Sequence, residues 1–355
     1  MKYITRIVFV IFIFQFQNCG NKDLPDYSEL TKNIDIRFDF LKENSAEFVI
    51  EILDSINLEL PGNPPLTSIQ DLAFSVDFIL LLDRKQGLLK FDINGKFLQQ
   101  IGKIGEGPDE YAMPYAIHLD EKEKVVLVAD WQKMTVISYD FGGKFYSTSS
   151  KFSGYPISFY EDNDNLLVVQ ETINGTKEKP RQVLVSSIQP KTLEVKNWER
   201  PLYGYPSDFT TIHQIPRLLS RVNNATLFYM PIIRGEISSH SKRDTIFRKV
   251  NDHLLPEYQI NFEGFDPILQ LRISQIVMSD KYVFLRLIYD NRPYFLVIDL
   301  ERNRPLIHLK KLFDQEMTDE MIPRPFKGDR YYSILRNKEN GLEKNPQIVF
   351  YRLPS

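Results

Sequence analysis

The sequence has little that would support the commonest catalytic or cross-linked sites. Its 355 residues include a single cysteine, so no internal disulfide can form. No Gly-x-Ser-x-Gly motif is present, so a hydrolase with a nucleophile elbow has no support. The histidines are scattered, with none three or four residues from another, so we predict neither a metal nor a cofactor. They are His118, His213, His240, His253 and His308.

An excess of basic residues is also missing. The chain has 44 Lys and Arg against 47 Asp and Glu, which gives a formal net charge of −3. A mildly acidic protein without a basic stripe argues against nucleic acid as a partner. Long helical periodicity is absent beyond the N-terminus, where alternating apolar residues between Gly, Asn, Asp and Pro clusters predict strands instead. The sequence therefore predicts an all-β domain.

The N-terminus has a different composition from the rest of the chain. Lys2 and Arg6 precede an apolar run at residues 7–14, which is the layout of a secretory signal. The run is too short to span a bilayer. Cys19 follows and resembles the acylated cysteine of bacterial lipoproteins, although Phe16 and Asn18 depart from the usual aliphatic and small residues. The alternative is an ordinary free cysteine in a cleaved signal.

The lipoprotein resemblance implies a cellular location and a division of the chain into three segments. Cys19 would carry the lipid that attaches the protein to the membrane of the cell envelope, as an outer-membrane lipoprotein on the periplasmic or the surface side. We predict a lipoprotein signal peptide at residues 1–18 and a polar tether at residues 19–32. A single domain then occupies residues 33–355.

Two neighbouring stretches of this domain repeat one pattern. The apolar segments Phe78–Asp83 and Val125–Asp130 both end in aspartate, with an offset of 47 residues. A Gly-Lys-Phe triplet follows each of them, ending at Phe97 and Phe145, with an offset of 48 residues. Units of forty to fifty residues with four strands each are typical of β-propeller blades.

Weaker units continue to the C-terminus, and six units fit best. The last unit is short of strands, and residues 33–60 contain extra ones. We therefore predict a six-bladed β-propeller of four-stranded antiparallel blades, closed by N-terminal strands that join the last blade. The weaker units are residues 156–198, 218–262, 272–309 and 331–353.

The segment Gly105-Glu-Gly-Pro-Asp-Glu-Tyr111 connects the first two units. A phosphate-binding loop would need a helix at its last glycine, and Pro108, Pro114 and a following strand exclude that helix. With the preceding Ile101-Gly102, the motif resembles a largely uncharacterised bacterial family of six-bladed propeller lipoproteins, related in shape to NHL and TolB-like propellers. That resemblance covers most of the mature chain. It implies a fold and a location in the cell envelope more than an activity.

Two groups of residues are candidates for contact with a ligand. In a propeller, the crossing between blades and the loop between second and third strands share a face, which places Asp83, Arg84, Glu110, Tyr111, Asp130 and Trp131 on one rim. For each of them a structural role is the alternative. In that case Asp130 would cap a turn, Trp131 would pack against a neighbouring blade and Glu110 would accept hydrogen bonds from backbone amides. Aromatic and arginine side chains near other strand ends could stack on sugars or clamp carboxylates. These are Tyr203, Tyr205, Arg217 and Arg272.

These features favour a binding or scaffold module for a glycan, a peptide or an envelope protein. The alternative is a carbohydrate-active hydrolase or lyase that uses acidic residues on the channel face, such as Glu110 and Asp130. Two carboxylates from separate blades would suffice for that chemistry if they converged in space.

Overall fold

The computed structural model describes most of the chain after residue 31. The described residues are 32–43, 50–62, 64–162, 165–172, 181–197, 203–205, 219–222, 225–229, 245–250, 253–266, 269, 271–336, 338–339 and 342–353. The predicted signal peptide, Cys19 and Arg217 lie outside them. Within these ranges, no helix has both the length and the apolar character needed to cross a bilayer.

The strands form six antiparallel sheets that follow one another along the chain, numbered here as blades 1 to 6. Blade 1 contains Ile69–Phe74, Phe78–Asp83, Gly87–Asp92 and Phe97–Ile101. Blade 2 contains Pro114–Asp120, Val125–Asp130, Thr135–Asp140 and Phe145–Thr148. Blade 3 contains Tyr155–Asp162, Asn165–Glu171, Arg181–Ile188 and Val195–Asn197, with Tyr203–Tyr205 also paired to its third strand.

The second half of the ring has the same order. Blade 4 contains Leu219–Val222, Ala225–Tyr229, Thr245–Val250 and His253–Glu263. Blade 5 contains Leu271–Met278, Tyr282–Tyr289, Arg292–Asp299 and Arg304–His308. Blade 6 contains Arg324–Pro325, Arg330–Leu335, Gln347–Arg352 and, from the N-terminal region, Glu51–Asn57. Two hairpins, Lys311–Leu312 with Gln315–Glu316 and Lys338–Glu339 with Leu342–Glu343, and the 3-10 helix Asp319–Met321 lie in connections.

The predicted six-bladed propeller is confirmed. The first strands of blades 1, 2 and 3 contact one another in order, as do those of blades 4, 5 and 6, so the first strands lie innermost, around the central axis. Every residue of Phe78–Asp83 and Val125–Asp130 is buried, because both faces of a blade pack against other blades. This double burial explains why these strands are continuous apolar runs instead of alternating ones. The core is accordingly divided into clusters between adjacent blades.

Ring closure uses one N-terminal strand. Glu51–Asn57 pairs antiparallel with Gln347–Arg352 and supplies the outermost strand of blade 6, as predicted. The chain then continues into blade 1, where the Glu59 amide donates to the Gly95 carbonyl at 2.8 Å and the Phe97 amide donates to the Glu59 carbonyl at 3.1 Å. The join between the last and first blades is therefore made by backbone hydrogen bonds on both sides.

A second N-terminal strand joins a different blade from the one predicted. Lys32–Arg37 pairs in parallel with the outermost strand of blade 4 and buries Ile34 and Ile36 against it. The helix Phe38–Glu43 follows, and its Leu41 carbonyl lies 3.0 Å from Nδ1 of the buried His308 in blade 5. Burial lowers the pKa of His308, which favours the neutral ring that donates this bond. The prediction placed all N-terminal strands in the last blade, but blade 6 has room for one only.

Candidate functional site

The propeller has two faces with different loops. The upper face, as we use the term, carries the crossings between blades and the loops between second and third strands. The lower face carries the turns between first and second strands and between third and fourth strands. The segment Gly105–Tyr111 lies on the upper face, between the outermost strand of blade 1 and the innermost strand of blade 2.

Tyr111 anchors this crossing from inside the protein. Its side chain is fully buried, and its hydroxyl donates to the Ile101 carbonyl and accepts from the Leu88 amide, both at 2.9 Å. Gly102 has a φ of +62°, and a Cβ atom there would lie 2.7 Å from the Tyr139 ring. The glycine therefore allows a left-handed turn directly over two buried tyrosine rings.

Glu110 holds the loop that contains it. Its carboxylate accepts from the Gly107 amide at 2.8 Å and pairs with the Lys103 ammonium at 2.7 Å. The hydrogen bond from Lys103 is the main reason that the pKa of the Glu110 carboxyl is lowered. Lys133, from the loop of blade 2, donates to the Gly107 and Glu110 carbonyls at 2.7 and 2.8 Å. These contacts match the structural role that the sequence left open for Glu110.

Asp83 and Asp130 act as equivalent clamps in blades 1 and 2. Both are fully buried, and each accepts three backbone hydrogen bonds. Asp130 accepts from the Ala112, Met113 and Lys133 amides at 2.6, 3.2 and 3.0 Å. Asp83 accepts from the Ser68, Lys85 and Gln86 amides at 2.9, 2.8 and 3.0 Å. Each carboxylate thus ties the incoming crossing to the loop of its own blade.

This arrangement separates internal residues from surface residues. Asp83, Tyr111 and Asp130 have no exposed side-chain surface, so a ligand on the upper face meets the residues beside them. The acids named for a hydrolase or lyase, Glu110 and Asp130, are both bonded to the crossing that they hold. No group of three or more His, Cys, Asp or Glu among the described residues is arranged to hold a metal ion.

The channel mouth on the upper face is lined with aromatic and cationic groups. Trp131 stacks on Tyr155, the first residue of the innermost strand of blade 3, with ring centres 4.4 Å apart and an angle of 26°. Both rings are half-buried. Tyr115 lies at the corresponding level of blade 2. Its pKa is raised, chiefly by burial and then by the negative charge of Glu171, and the positive charge of Arg84 only partly offsets this rise. Arg84 itself is exposed.

Arg272 lies at the same level across the channel, on the innermost strand of blade 5. Its side chain is half-buried, its Nε is buried without a hydrogen-bond partner, and no group of the described residues forms an ion pair with it. We call Arg84, Tyr115, Trp131, Tyr155 and Arg272 the upper mouth. It is a mixed surface with two cations and three aromatic rings.

The arginines next to Arg272 are neutralised. Nε of Arg286, on the adjacent strand, lies 2.6 Å from the Asp319 carboxylate, and its Nη1 donates to the Ser274 hydroxyl at 2.9 Å. Arg336 pairs with Glu320 through two hydrogen bonds and also donates to the Leu66 carbonyl. Since Asp319 and Glu320 are occupied in this way, Arg272 is left without an ion pair in the part of the channel wall that the structure describes.

The sequence identified part of the upper mouth. It named Arg84, Trp131 and Arg272 but missed Tyr115 and Tyr155, whose signal was their position at the starts of innermost strands. Tyr203–Tyr205 pairs with residues 181–183 of blade 3, and the side chains of Tyr203 and Tyr205 lie outside the described residues.

Comparison with known proteins identifies a family. The chain is similar to the crystal structure of the "Putative exported protein" of Bacteroides fragilis NCTC 9343, with a TM-score of 0.64 and 15% identity over 91% of this chain and 100% of that one. A DUF4221 family member from Bacteroides vulgatus ATCC 8482 has a TM-score of 0.52 and 13% identity, over 87% and 98% of the two chains. No curated protein matches. The model of DUF4934, described as a domain of unknown function, matches residues 49–348, and the chain belongs to this family.

Proposed function

We propose that this propeller is an extracytoplasmic binding module that recognises an acidic glycan at the upper mouth. The observation that carries the proposal is Arg272. A half-buried guanidinium with no ion pair among the described residues has lost hydration without gaining an opposite charge from them, which is unfavourable unless a ligand completes the site. A carboxylate suits it best, because the planar guanidinium can donate two parallel hydrogen bonds.

The aromatic residues of the upper mouth complement this cation. Stacked or half-exposed rings provide a flat apolar surface for the face of a sugar ring, while a few polar groups fix its orientation. Trp131 and Tyr155 support each other in one orientation, so little side-chain freedom is lost when a ligand stacks on them. An acidic oligosaccharide offers both a carboxylate for Arg272 and sugar-ring faces for the two aromatic rings.

Replacing Arg272 with glutamine tests this assignment. We expect the binding of an oligogalacturonate to weaken by about 10- to 100-fold, because charge-assisted hydrogen bonds contribute about 1.5–3 kcal/mol each. The unfolding free energy should stay constant or rise by about 1 kcal/mol, because an uncompensated cation is removed. Titration calorimetry and thermal unfolding measure the two quantities.

The control for this variant is Arg304→Gln, on the exposed outermost strand of the same blade. It should bind the oligosaccharide as the unmodified protein does. Neutral oligoglucosides should bind weakly to both. Equal binding of the acidic sugar by Arg272→Gln and the unmodified protein contradicts the proposal, and binding of an acidic peptide instead would assign the upper mouth to peptides.

We further propose that the protein is attached to the outer membrane by a lipid on Cys19. The support is the signal-like N-terminus with its single cysteine, together with the similarity to a protein named as exported. In cells fed a clickable fatty acid, the protein with its own sequence should become labelled, while Cys19→Ala should carry no label. Retained label on Cys19→Ala would contradict the anchor, and Cys19→Ser controls for the loss of side-chain volume.

A further inference from the structure

A second concave site lies on the lower face, away from the upper mouth. A cleft of about 500 Å³ opens between blades 5 and 6, bounded by the turn at residues 279–282, the turn at residues 325–331 and Leu353. Both turns connect a first strand to a second strand, which places them at the end of the ring opposite the blade crossings. This volume falls within the range of about 300–1,000 Å³ found for small-molecule sites.

The floor of the cleft is rigid and internally satisfied. The Tyr331 hydroxyl donates to the Ser279 hydroxyl at 2.9 Å, and the Ser279 hydroxyl in turn donates to the Tyr282 carbonyl at 3.1 Å. The Tyr282 amide donates back to the Ser279 hydroxyl at 2.9 Å. Burial raises the pKa of Tyr331, so its phenol stays neutral. The floor therefore offers ring surface and no charge.

One wall of the cleft is a half-exposed aromatic ring held in place from behind. Phe326 packs edge-on against Phe74 of blade 1, with ring centres 5.0 Å apart and an angle of 74°. It also contacts Phe350 at 4.9 Å within blade 6. A ring fixed in this way can receive an apolar ligand without losing conformational freedom.

Two cations stand on the facing turns without carboxylate partners. Lys281 has its ammonium 5.1 Å from the centre of the Tyr282 ring, and Arg330 has its guanidinium carbon 5.3 Å from the centre of the Phe326 ring. The Nε of Arg330 donates to the Lys327 carbonyl at 3.1 Å, which orients the rest of the guanidinium. No ion pair joins either cation to a carboxylate of the described residues.

Asp329, an acidic residue of the cleft, forms its ion pair with an arginine other than Arg330. Asp329 is paired with Arg352 at 2.9 Å, and Arg352 also lies 3.5 Å from Glu51 of the closing strand. Asp280 is exposed at the tip of its turn. The cleft thus combines ring surfaces with two available cations.

We propose that this cleft binds a small organic carboxylate that carries a ring. The carboxylate lies between Lys281 and Arg330, and the ring packs against Phe326 above the tyrosine floor. A cation held over an aromatic ring still has its other side open to an anion, so the two interactions are compatible. The site is independent of the upper mouth, since the two lie on opposite faces of the ring.

The test uses pairs of ring compounds that differ only in charge. Phenylacetate and indole-3-acetate are compared with their neutral amides by ligand-observed NMR on the purified protein. We expect the acids to bind and the amides to bind at least about tenfold more weakly, because the amide has no charge for the two cations. Failure of both acids to bind at about 5 mM, or equal binding of acids and amides, overturns the proposal.

Variants place the binding at this cleft. Arg330→Gln and Lys281→Gln should each weaken the binding of the acids about tenfold, while Arg330→Lys, which keeps the charge but loses the planar fork, should have an intermediate effect. Lys144→Gln, on an exposed turn of blade 2 on the same face, is the matched control and should bind normally. Arg272→Gln should also bind normally, which separates this proposal from that for the upper mouth. Equal weakening in Lys144→Gln would show non-specific charge attraction and overturn the assignment.

Discussion

A chain that begins at residue 50 is expected to fold, and a chain that begins at residue 58 is not. The difference is the strand Glu51–Asn57, which forms the outermost strand of blade 6 and leads into the contact with blade 1. Without it, the edge of Gln347–Arg352 is exposed and the Glu59 contacts lose their anchor. The loss is comparable with the whole unfolding free energy of a domain, about 5–15 kcal/mol.

Thermal unfolding followed by circular dichroism measures this difference. The chain from residue 50 also lacks the blade 4 strand Lys32–Arg37 and its helix, so it should melt at a lower temperature than the full chain but in one cooperative step. The chain from residue 58 should show no cooperative transition. A synthetic peptide of residues 50–60 should restore the transition by adding the missing strand. A sharp transition in the chain from residue 58 without the peptide would contradict this account of closure.

Asp130→Ala is expected to lower the unfolding free energy by about 3–5 kcal/mol. The substitution removes the acceptor of three backbone amides at the junction of a crossing and a loop, all in a fully buried position. The amides are part-buried and lose their acceptor at a fully buried position, so their desolvation is no longer fully offset. Asp130→Asn should have a smaller effect, because it retains one acceptor oxygen.

Asp140→Ala is the matched control for this prediction. Asp140 ends the third strand of the same blade and accepts from the Gly142 and Lys144 amides, both at 2.8 Å, but in an exposed turn where water can replace it. We expect it to cost about 1 kcal/mol. Urea unfolding of the three variants measures the difference. A loss of unfolding free energy below about 1 kcal/mol for Asp130→Ala, combined with loss of glycan binding, would contradict the structural role and indicate that Asp130 contacts the ligand.

The repeated units could be read from the sequence because their signal is local. The apolar segments Phe78–Asp83 and Val125–Asp130 are strands with the same bounds in the structure. Within one blade, the apolar run forms the second strand, the aspartate at its end holds the loop that follows, and Gly-Lys-Phe marks the hairpin turn between the third and fourth strands. Ring closure by the N-terminal region was predicted differently, from the shortage of strands in the last unit and the extra strands in residues 33–60.

The roles of single charged residues could not be read in this way. Both a clamp and a ligand contact require a carboxylate beside a loop, so the sequence left Asp83 and Asp130 open between the two. The tertiary structure brings the incoming crossing over each carboxylate and supplies the amides that occupy it. Arg272 is the contrasting case, since no described residue forms an ion pair with it. The nearby acids, Asp319 and Glu320, are bonded to Arg286 and Arg336 instead.

The sequence by itself determined the all-β class, the blade repeat and the bounds of the apolar second strands of the first two blades, since alternation and turn residues act within a few positions of the chain. Only the tertiary structure decided that Lys32–Arg37 joins blade 4, that no described residue forms an ion pair with Arg272, and that Ser279 and Arg330 border one cleft. The physical reason is that closing a ring brings together residues far apart in the chain. Which edges and charges then meet depends on the geometry of all the blades together.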